Sequence, residues 1–496
     1  MIWDNTDLFC RDLPTRPQPE IGKILVTGAT GYIGGRLVPE LQARGYEIRV
    51  MVRMASPEHV ERWPDVDIVV ADALDFNNLT KALEGIHTAY YLIHSLLLGQ
   101  KRFESADIQA AMNFRKAAEE KNVKRIIYLG GLGDIRTPLS PHLSSRIKVA
   151  EEFKRGKVPV TILRAAIVIG SGSAPYEIIK HVVKNSPIIF VPDWLKTKCQ
   201  PIGIRDVVKY LVGVLETTET CGKSFDIGGS DILTLETILK KFANILGKKI
   251  LFLPSPINSI GFYAYITSLI TPIPSMITWS LFQGCKNEVI CQNDEIKRVL
   301  PFQPISYKEA LLRAMSREEQ DNVHTRWSDT YPPAHELAIK LHELTEPPNY
   351  ISSYSLLTEK SASSLFSSIC KIGGKSGWFK SNFLWGIRGM IDRILLGVGL
   401  SRGRRNSSSL RINDVIDFWR VENLKPNEML LLRAEMKLPG RAWLEFRIDQ
   451  QENKNRLSVT AYFQSHKFLG KVYWYVFLPF HNFIFNDLIK QIEKRS

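Results

Sequence analysis

The densest chemistry in this 496-residue chain lies in the run Ile24-Leu25-Val26-Thr27-Gly28-Ala29-Thr30-Gly31-Tyr32-Ile33-Gly34. A short apolar strand ends there in glycines at every third position. An amphipathic pattern (Ile33, Leu37, Val38, Leu41) follows at once, with Gly45 placed to stop it. Glycines let backbone amides approach a pyrophosphate, and the helix N-terminus adds its positive dipole end. A glycine triplet alone says little. With a strand before it and a helix behind, it predicts a dinucleotide cradle made by Thr27, Gly28, Thr30, Gly31, Tyr32, Ile33 and Gly34.

Further positions fit the same ligand. Arg53 ends the second strand, where a carboxylate would accept from the ribose 2′-hydroxyl of NAD and a guanidinium suits the 2′-phosphate of NADP. The expected cofactor is therefore NADP(H) in preference to NAD(H), the plain alternative being a surface arginine at a strand end. Asp72, followed by Ala73, can accept from the adenine amino group, while Asp75 is better placed to cap the next helix. Tyr91–Ser95 ends the fourth strand beside the cofactor ribose. His94 there faces either the nicotinamide or a structural partner.

The elements that must hold these residues alternate. Strand candidates are Ile24–Thr27, Ile48–Val52, Ile68–Val70, Ala89–Ile93, Arg125–Leu129 and Val160–Leu163, with helical segments such as Phe103–Lys121 between most of them. Such alternation predicts an α/β fold, a Rossmann-type doubly wound parallel sheet. After Ser171 the rhythm loosens, but Ser224–Gly229 reads as another strand and turn, and Leu235–Leu246 as an amphipathic helix closed by Gly247. The expected organisation is an extension over 1–20, a nucleotide-binding domain over 21–320 with a helical cap at about 230–300, a linker over 321–348 and a second domain over 349–496. In the last, Leu410–Trp419, Met429–Lys437, Ala442–Ile448 and Leu457–Phe463 are strand-like, and one long helix runs from about Phe468 to Arg495. That pattern predicts an α+β domain, an antiparallel sheet gripping a C-terminal helix.

Composition narrows the class. The six cysteines are scattered without a C-x-x-C pair, which reads as reduced thiols, and no metal-ligand spacing occurs. The polar, proline-dotted Met1–Glu20 does not read as a secretory leader. Ile250–Cys285 carries no charge, yet Pro254, Pro256, Pro272 and Pro274 cut it into pieces too short to cross a membrane, and the apolar run Val472–Phe480 is shorter still. The expected location is cytoplasmic, with peripheral contact at the inner face of the membrane as the lesser reading. Net charge is +14, and residues 351–496 hold 23 Lys/Arg against 12 Asp/Glu, so this part supplies 23 − 12 = +11. No helix-turn-helix, zinc finger or other nucleic-acid signature accompanies that bias, so no nucleic-acid partner is expected.

Together, Thr27–Gly34, Arg53, Asp72-Ala73, Leu163-Arg164, Gln200-Pro201-Ile202 with Arg205-Asp206-Val207, and Phe225–Gly229 resemble the extended and atypical short-chain dehydrogenase/reductases. Tyr128–Gly133, Ser140–Leu143, Val168–Ser173 and Met436–Trp443 are similar to a YbjT-like subgroup whose members carry a C-terminal domain of unknown function. The resemblance implies NAD(P) binding. It also exposes a departure, because typical members use a Tyr-x-x-x-Lys pair and a serine to pass a proton while hydride moves. No tyrosine occurs between Tyr128 and Tyr176. The best counterpart is His142-Leu143-Ser144-Ser145-Arg146, with His142 for the tyrosine, Arg146 for the lysine and Gly130-Gly131-Leu132 at the serine position. His142 is a candidate acid, Ser145 a candidate substrate contact, and Lys148 is out of phase. The plain alternative is that His142 caps or orients a helix start after Pro141.

The second domain resembles helix-grip folds of the START/polyketide-cyclase kind, which hold hydrophobic ligands. That resemblance implies Trp419, Trp443, Phe446 and Trp474 as pocket residues and Arg441 and Glu445 as polar contacts, although aromatics at such spacing also build ordinary cores. The leading expectation is an oxidoreductase acting on a small hydrophobic carbonyl, enone or quinone-like substrate. A non-catalytic NADP(H) sensor and a membrane-surface accessory protein are the rival classes.

Overall fold

Alternate residues of the first strand explain the architecture of the N-terminal unit. In β1 (Lys23–Thr27), Ile24 and Val26 enter one core and Leu25 the other, because successive strand side chains point to opposite sheet faces. Both faces are therefore apolar, and both are covered by helices. The computed structural model describes residues 8–55, 57–94, 103–133, 136–319, 325–330, 339–374, 377–378, 382–395, 397–399, 402, 404, 410–451 and 454–496. Ser95 and residues 321–324 and 331–338 of the expected linker fall outside these. The chain divides into two compact units, Met1–Thr267 with Met276–Pro333, and Ser268–Ser275 with Ala334–Ser496.

In the first unit the order is β1, α1 (Gly34–Ala43), β2 (Ile48–Val52), α2 (Pro57–Arg62), β3 (Asp67–Val70), α3 (Phe76–Ala82), β4 (Ile86–Tyr91), α4 (Phe103–Glu120), β5 (Arg125–Gly131), α5 (Pro141–Lys154) and β6 (Val160–Ala165), with a seventh strand at Ser224–Ile227. The sheet runs Ser224–Ile227, β6, β5, β4, β1, β2, β3, every neighbouring pair parallel. Strand order reverses between β1 and β4. The glycine turn lies there, at the carboxyl end of β1, where open α/β sheets bind ligands.

Boundaries moved where side chains intervened. The fourth strand, expected over Ala89–Ile93, ends at Tyr91 because the Leu92 amide donates to the Thr27 hydroxyl at 3.1 Å instead of to a neighbouring strand. The N-terminal extension is a strap. Phe9, Cys10 and Leu13 are buried, and the Cys10 amide donates to Glu40 of α1 at 3.1 Å. The cap contains helices Ile260–Ile270 and Ser275–Gly284, with Trp194 packed between Tyr263 and Phe282 at ring distances of 5.7 and 5.1 Å.

The second unit is a six-stranded antiparallel sheet ordered Tyr350–Thr358, Lys454–Gln464, Arg441–Gln451, Met429–Ala434, Trp419–Lys425, Val415–Ile416. Its C-terminal helix, Phe468–Lys494, lays Trp474 parallel to Phe463 and Phe485 against Tyr354. The serine-rich strand Tyr350–Thr358 and the helices Ala362–Ile369 and Asn382–Ile394 were not anticipated. The expected strand Leu410–Trp419 is mostly turn, because Asn413 and Asp417 take left-handed φ values of 69° and 56° and break the pairing. Trp443 and Phe446 cannot share a pocket. They are three apart on one strand and so face opposite sides of the sheet. Trp443 instead donates its indole N–H to Glu422 at 3.0 Å.

Candidate functional site

The turn after β1 is shaped by two glycines. Gly28 sits at φ +64°, and a Cβ there would lie 2.8 Å from the Leu92 carbonyl oxygen. A Cβ on Gly34 would come within 2.3 Å of the Gly28 carbonyl oxygen. Neither position accepts a side chain, so the turn is tight and α1 begins against the end of β1. Gly31 donates to the Gly28 carbonyl at 2.9 Å and Gly35 to the Gly31 carbonyl at 3.0 Å. The amides of Tyr32, Ile33 and Gly34 have no backbone acceptor among the described residues. They stand at the positive end of α1, a cradle suited to a phosphate.

Thr27 of the expected cradle, and the residues expected near the adenine, have structural partners. The Thr27 side chain is buried and bridges β1 to β4, donating to the Tyr90 carbonyl at 3.0 Å. Ala73 is core. Asp72 accepts from the Leu74 amide at 2.8 Å; desolvation lowers the Arg53 pKa, a shift that the nearby Asp72 carboxylate opposes. Asp75 caps α3 through the Asn78 amide. Outside the turn, Arg36 donates to the carbonyls of Tyr32 at 3.0 Å, Thr325 at 3.2 Å and Ser171 at 2.9 Å, with its guanidinium 4.2 Å from the Tyr32 ring centre. That clamp was not read from the sequence, since its partners lie 135 and 289 residues away.

Past the carboxyl ends of β4 and β5 the sequence candidates converge. α5 starts at Pro141, and Ser140 rather than His142 caps it, accepting from the Leu143 amide at 3.3 Å. His142 and Arg146 are one helical turn apart and share a face. The His142 ring stands 5.0 Å from that of His94, at the end of β4. Asp107 on α4 completes the group, 3.5 Å from His94 Nδ1 and accepting from the buried Ser145 hydroxyl at 3.2 Å. Arg146 reaches the Ile93 carbonyl at 3.4 Å. Asp107 was missed, because nothing in a helix-facing Asp at that position distinguishes it from solvated charge.

Both imidazoles are neutral at ordinary pH. Burial lowers the His94 pKa to about 4, the Arg146 charge adding to the shift and Asp107 opposing it. Burial pushes His142 well below its usual value, with His94 and Arg146 contributing. Both ring nitrogens of His94 and Nδ1 of His142 are buried with no hydrogen-bond partner among the described residues. Unpaired buried donors and acceptors are costly, and these ring nitrogens keep hydrogen-bonding capacity that the described residues do not use.

Tyr128 is buried in β5, its hydroxyl donating to the Arg146 carbonyl at 3.1 Å. A Cβ at Gly131 would lie 3.0 Å from Leu143. The cap adjoins the same corner, since Asn287, just after its second helix, accepts from the Ser140 amide at 3.1 Å and donates to the Pro138 carbonyl at 2.8 Å.

A family model described as the NmrA-like family matches residues 20–279, more than half of the chain. The chain belongs to the NmrA-like family. Its NmrA-like region contains the glycine turn and the His94–His142 group, in keeping with the expected atypical short-chain dehydrogenase/reductase. Residues 344–488 match a second model, protein of unknown function DUF2867. Similar to the NmrA-like region are a Synechocystis protein provisionally named dihydroflavonol 4-reductase, 26% identical over 49% of this chain and 76% of its own length, and the Arabidopsis thaliana divinyl chlorophyllide a 8-vinyl-reductase, 22% identical over 51% of this chain and 65% of its own. Among solved structures, the Citrobacter sp. triphenylmethane reductase complexed with NADP(H) superposes with a TM-score of 0.48 and 19% identity, covering 59% of this chain and 99% of that one. Among the described residues no helix is long and apolar enough to cross a membrane, and no group of His, Cys, Asp and Glu could hold a metal ion.

Proposed function

We propose that this NmrA-like protein binds a nicotinamide dinucleotide, NADP(H) in preference to NAD(H), and is an oxidoreductase for a hydrophobic carbonyl, enone or quinone-like substrate. The observation that carries the reading is the pair of half-buried imidazoles, His94 and His142, with ring centres 5.0 Å apart past the carboxyl end of β4, and with Nδ1 of His142 lacking a hydrogen-bond partner among the described residues. The residues present fit the cofactor. Gly28 and Gly34 leave room for backbone alone, the amides of Tyr32, Ile33 and Gly34 suit a diphosphate, and exposed Arg53 suits a 2′-phosphate.

When bound, the nicotinamide supplies or accepts the hydride. The chain's own residues then handle the rest. A neutral His142 offers an N–H to a substrate oxygen, polarising it without carrying a full charge into the pocket. His94 stands between His142 and Asp107, whose carboxylate biases the His94 tautomer towards N–H at Nδ1. Arg146 keeps a positive charge close to any oxyanion that develops. The cap, held to the start of α5 through Asn287, supports placing an apolar substrate body above this corner.

The test is calorimetry on nucleotide-free protein with all four pyridine dinucleotides, followed by NADPH consumption with a panel of aldehydes, enones and quinones. Steady consumption lost in His142→Ala, with nucleotide affinity kept, supports the oxidoreductase. Tight binding without turnover of any substrate replaces it with a nucleotide sensor.

A further inference from the structure

Two helices of the second unit turn apolar faces outward. Along the C-terminal helix, Phe468, Val472, Tyr475, Val476 and Phe483 are exposed, Phe468 at 77% and Phe483 at 66%. At 100° per residue they fall within about a third of the helix circumference, directly opposite Trp474, Phe485 and Leu488, which are buried. The helix Asn382–Ile394 repeats the arrangement. Phe383 (75% exposed), Ile387, Met390 and Ile394 form one stripe, opposite buried Trp385 and Asp392. Both helices abut one loop. Arg388 donates to the Lys437 carbonyl at 2.8 Å, while Ser465, just before the C-terminal helix, donates to the Pro439 carbonyl at 2.7 Å. The loop Lys437–Gly440 is thus tied to the first helix through Arg388 and to the residue before the second through Ser465.

Single exposed apolar residues are ordinary; a stripe of several large apolar side chains along one helix, found on each of these two helices, marks a binding surface. Charge selects the occupant. Exposed Lys437, Arg441, Lys467 and Lys471 rim the loop and the start of the C-terminal helix. Over residues 382–395, 437–443 and 465–486 the one carboxylate is Asp392, which is fully buried. A cationic rim around aromatic and aliphatic stripes complements an anionic lipid surface, with the rings at headgroup depth and lysines on the phosphates. Helix faces of this kind lie in the interface plane rather than crossing it, which agrees with the lack of a spanning helix among the described residues.

We propose that the second unit docks on anionic bilayers through the exposed faces of Asn382–Ile394 and Phe468–Lys494, independently of the oxidoreductase reading. The test is co-sedimentation of the full-length protein with vesicles of phosphatidylcholine alone and of an equal phosphatidylcholine–phosphatidylglycerol mixture. Salt-sensitive pelleting with the mixed vesicles is expected, falling roughly tenfold or more in Lys467→Glu/Lys471→Glu and in Phe468→Ser/Phe483→Ser. On the unmodified chain, mixed vesicles should also slow amide exchange across residues 468–483. Equal pelleting with both vesicle types, unchanged exchange, or sedimentation as a dimer that Phe468→Ser/Phe483→Ser dissolves would overturn the proposal, the last assigning the stripes to a second copy of the chain.

Discussion

The imidazoles of His94 and His142, which are 48 positions apart in the chain, stand with ring centres 5.0 Å apart at the carboxyl ends of β4 and the β5–α5 connection. Asp107 stands 3.5 Å from His94 Nδ1, while Nδ1 of His142 has no hydrogen-bond partner among the described residues. If they handle substrate, His142→Ala should lower kcat by about 100-fold or more while leaving the Kd for NADPH within about twofold. Single-turnover kinetics alongside calorimetry checks this, and an unchanged kcat would remove His142 from the reaction.

Acid should weaken the N-terminal unit through the same pair. The folded pKa of His94 is about 4 against an ordinary 6.5, and His142 is also depressed. Between those limits the unfolded chain binds more protons than the folded one, so stability is full above about pH 6.5 and falls as pH drops towards 4. Thermal melts across that range should show a falling Tm, with a shallower slope in His94→Asn. A flat profile would contradict the burial of these rings.

Gly34→Ala tests the turn. Its Cβ would collide with the Gly28 carbonyl oxygen at 2.3 Å, and α1 would have to move off β1. We expect a loss of about 2–4 kcal/mol in urea unfolding, with dinucleotide affinity abolished. Retained binding at wild-type affinity would place the nucleotide elsewhere.

Arg53→Ala tests cofactor choice. Its affinity for NADPH should fall about tenfold or more, that for NADH little, since only the former carries the 2′-phosphate. Parallel titrations with both nucleotides decide it; an equal loss for the two would make Arg53 a general charge rather than a selector.

Tyr128→Phe separates a structural tyrosine from a catalytic one. The hydroxyl is committed to the Arg146 carbonyl at 3.1 Å inside β5. Its removal should cost about 1 kcal/mol of stability and leave turnover within about twofold. A large drop in kcat with normal folding would return the tyrosine to the relay.

What could be read from residues alone was whatever repeats or clusters locally. Ile24–Gly34 carries strand, turn and helix within eleven positions, and the strand–helix alternation to Val160 needs no distant partner to be visible. His142 and Arg146 were legible as a helical i, i+4 pair. Boundaries failed where a side chain from another element took over a backbone group, as Thr27 does at Leu92. The strand Tyr350–Thr358 escaped notice because its inward Tyr350, Ser352, Tyr354 and Leu356 mix polar with apolar residues, blurring the period of two.

Glycine stereochemistry and apolar periodicity act over a few residues, so the doubly wound sheet and the phosphate-sized turn are written locally in the chain. Long-range packing brings Asp107 to His94, His142 and Ser145, spends Tyr128 on a helix carbonyl, and parts Trp443 and Phe446 to opposite faces. Those outcomes depend on which helix covers which strand and on pairing register, which distant contacts set. Burial then depressed the two histidines, an environment no local pattern encodes.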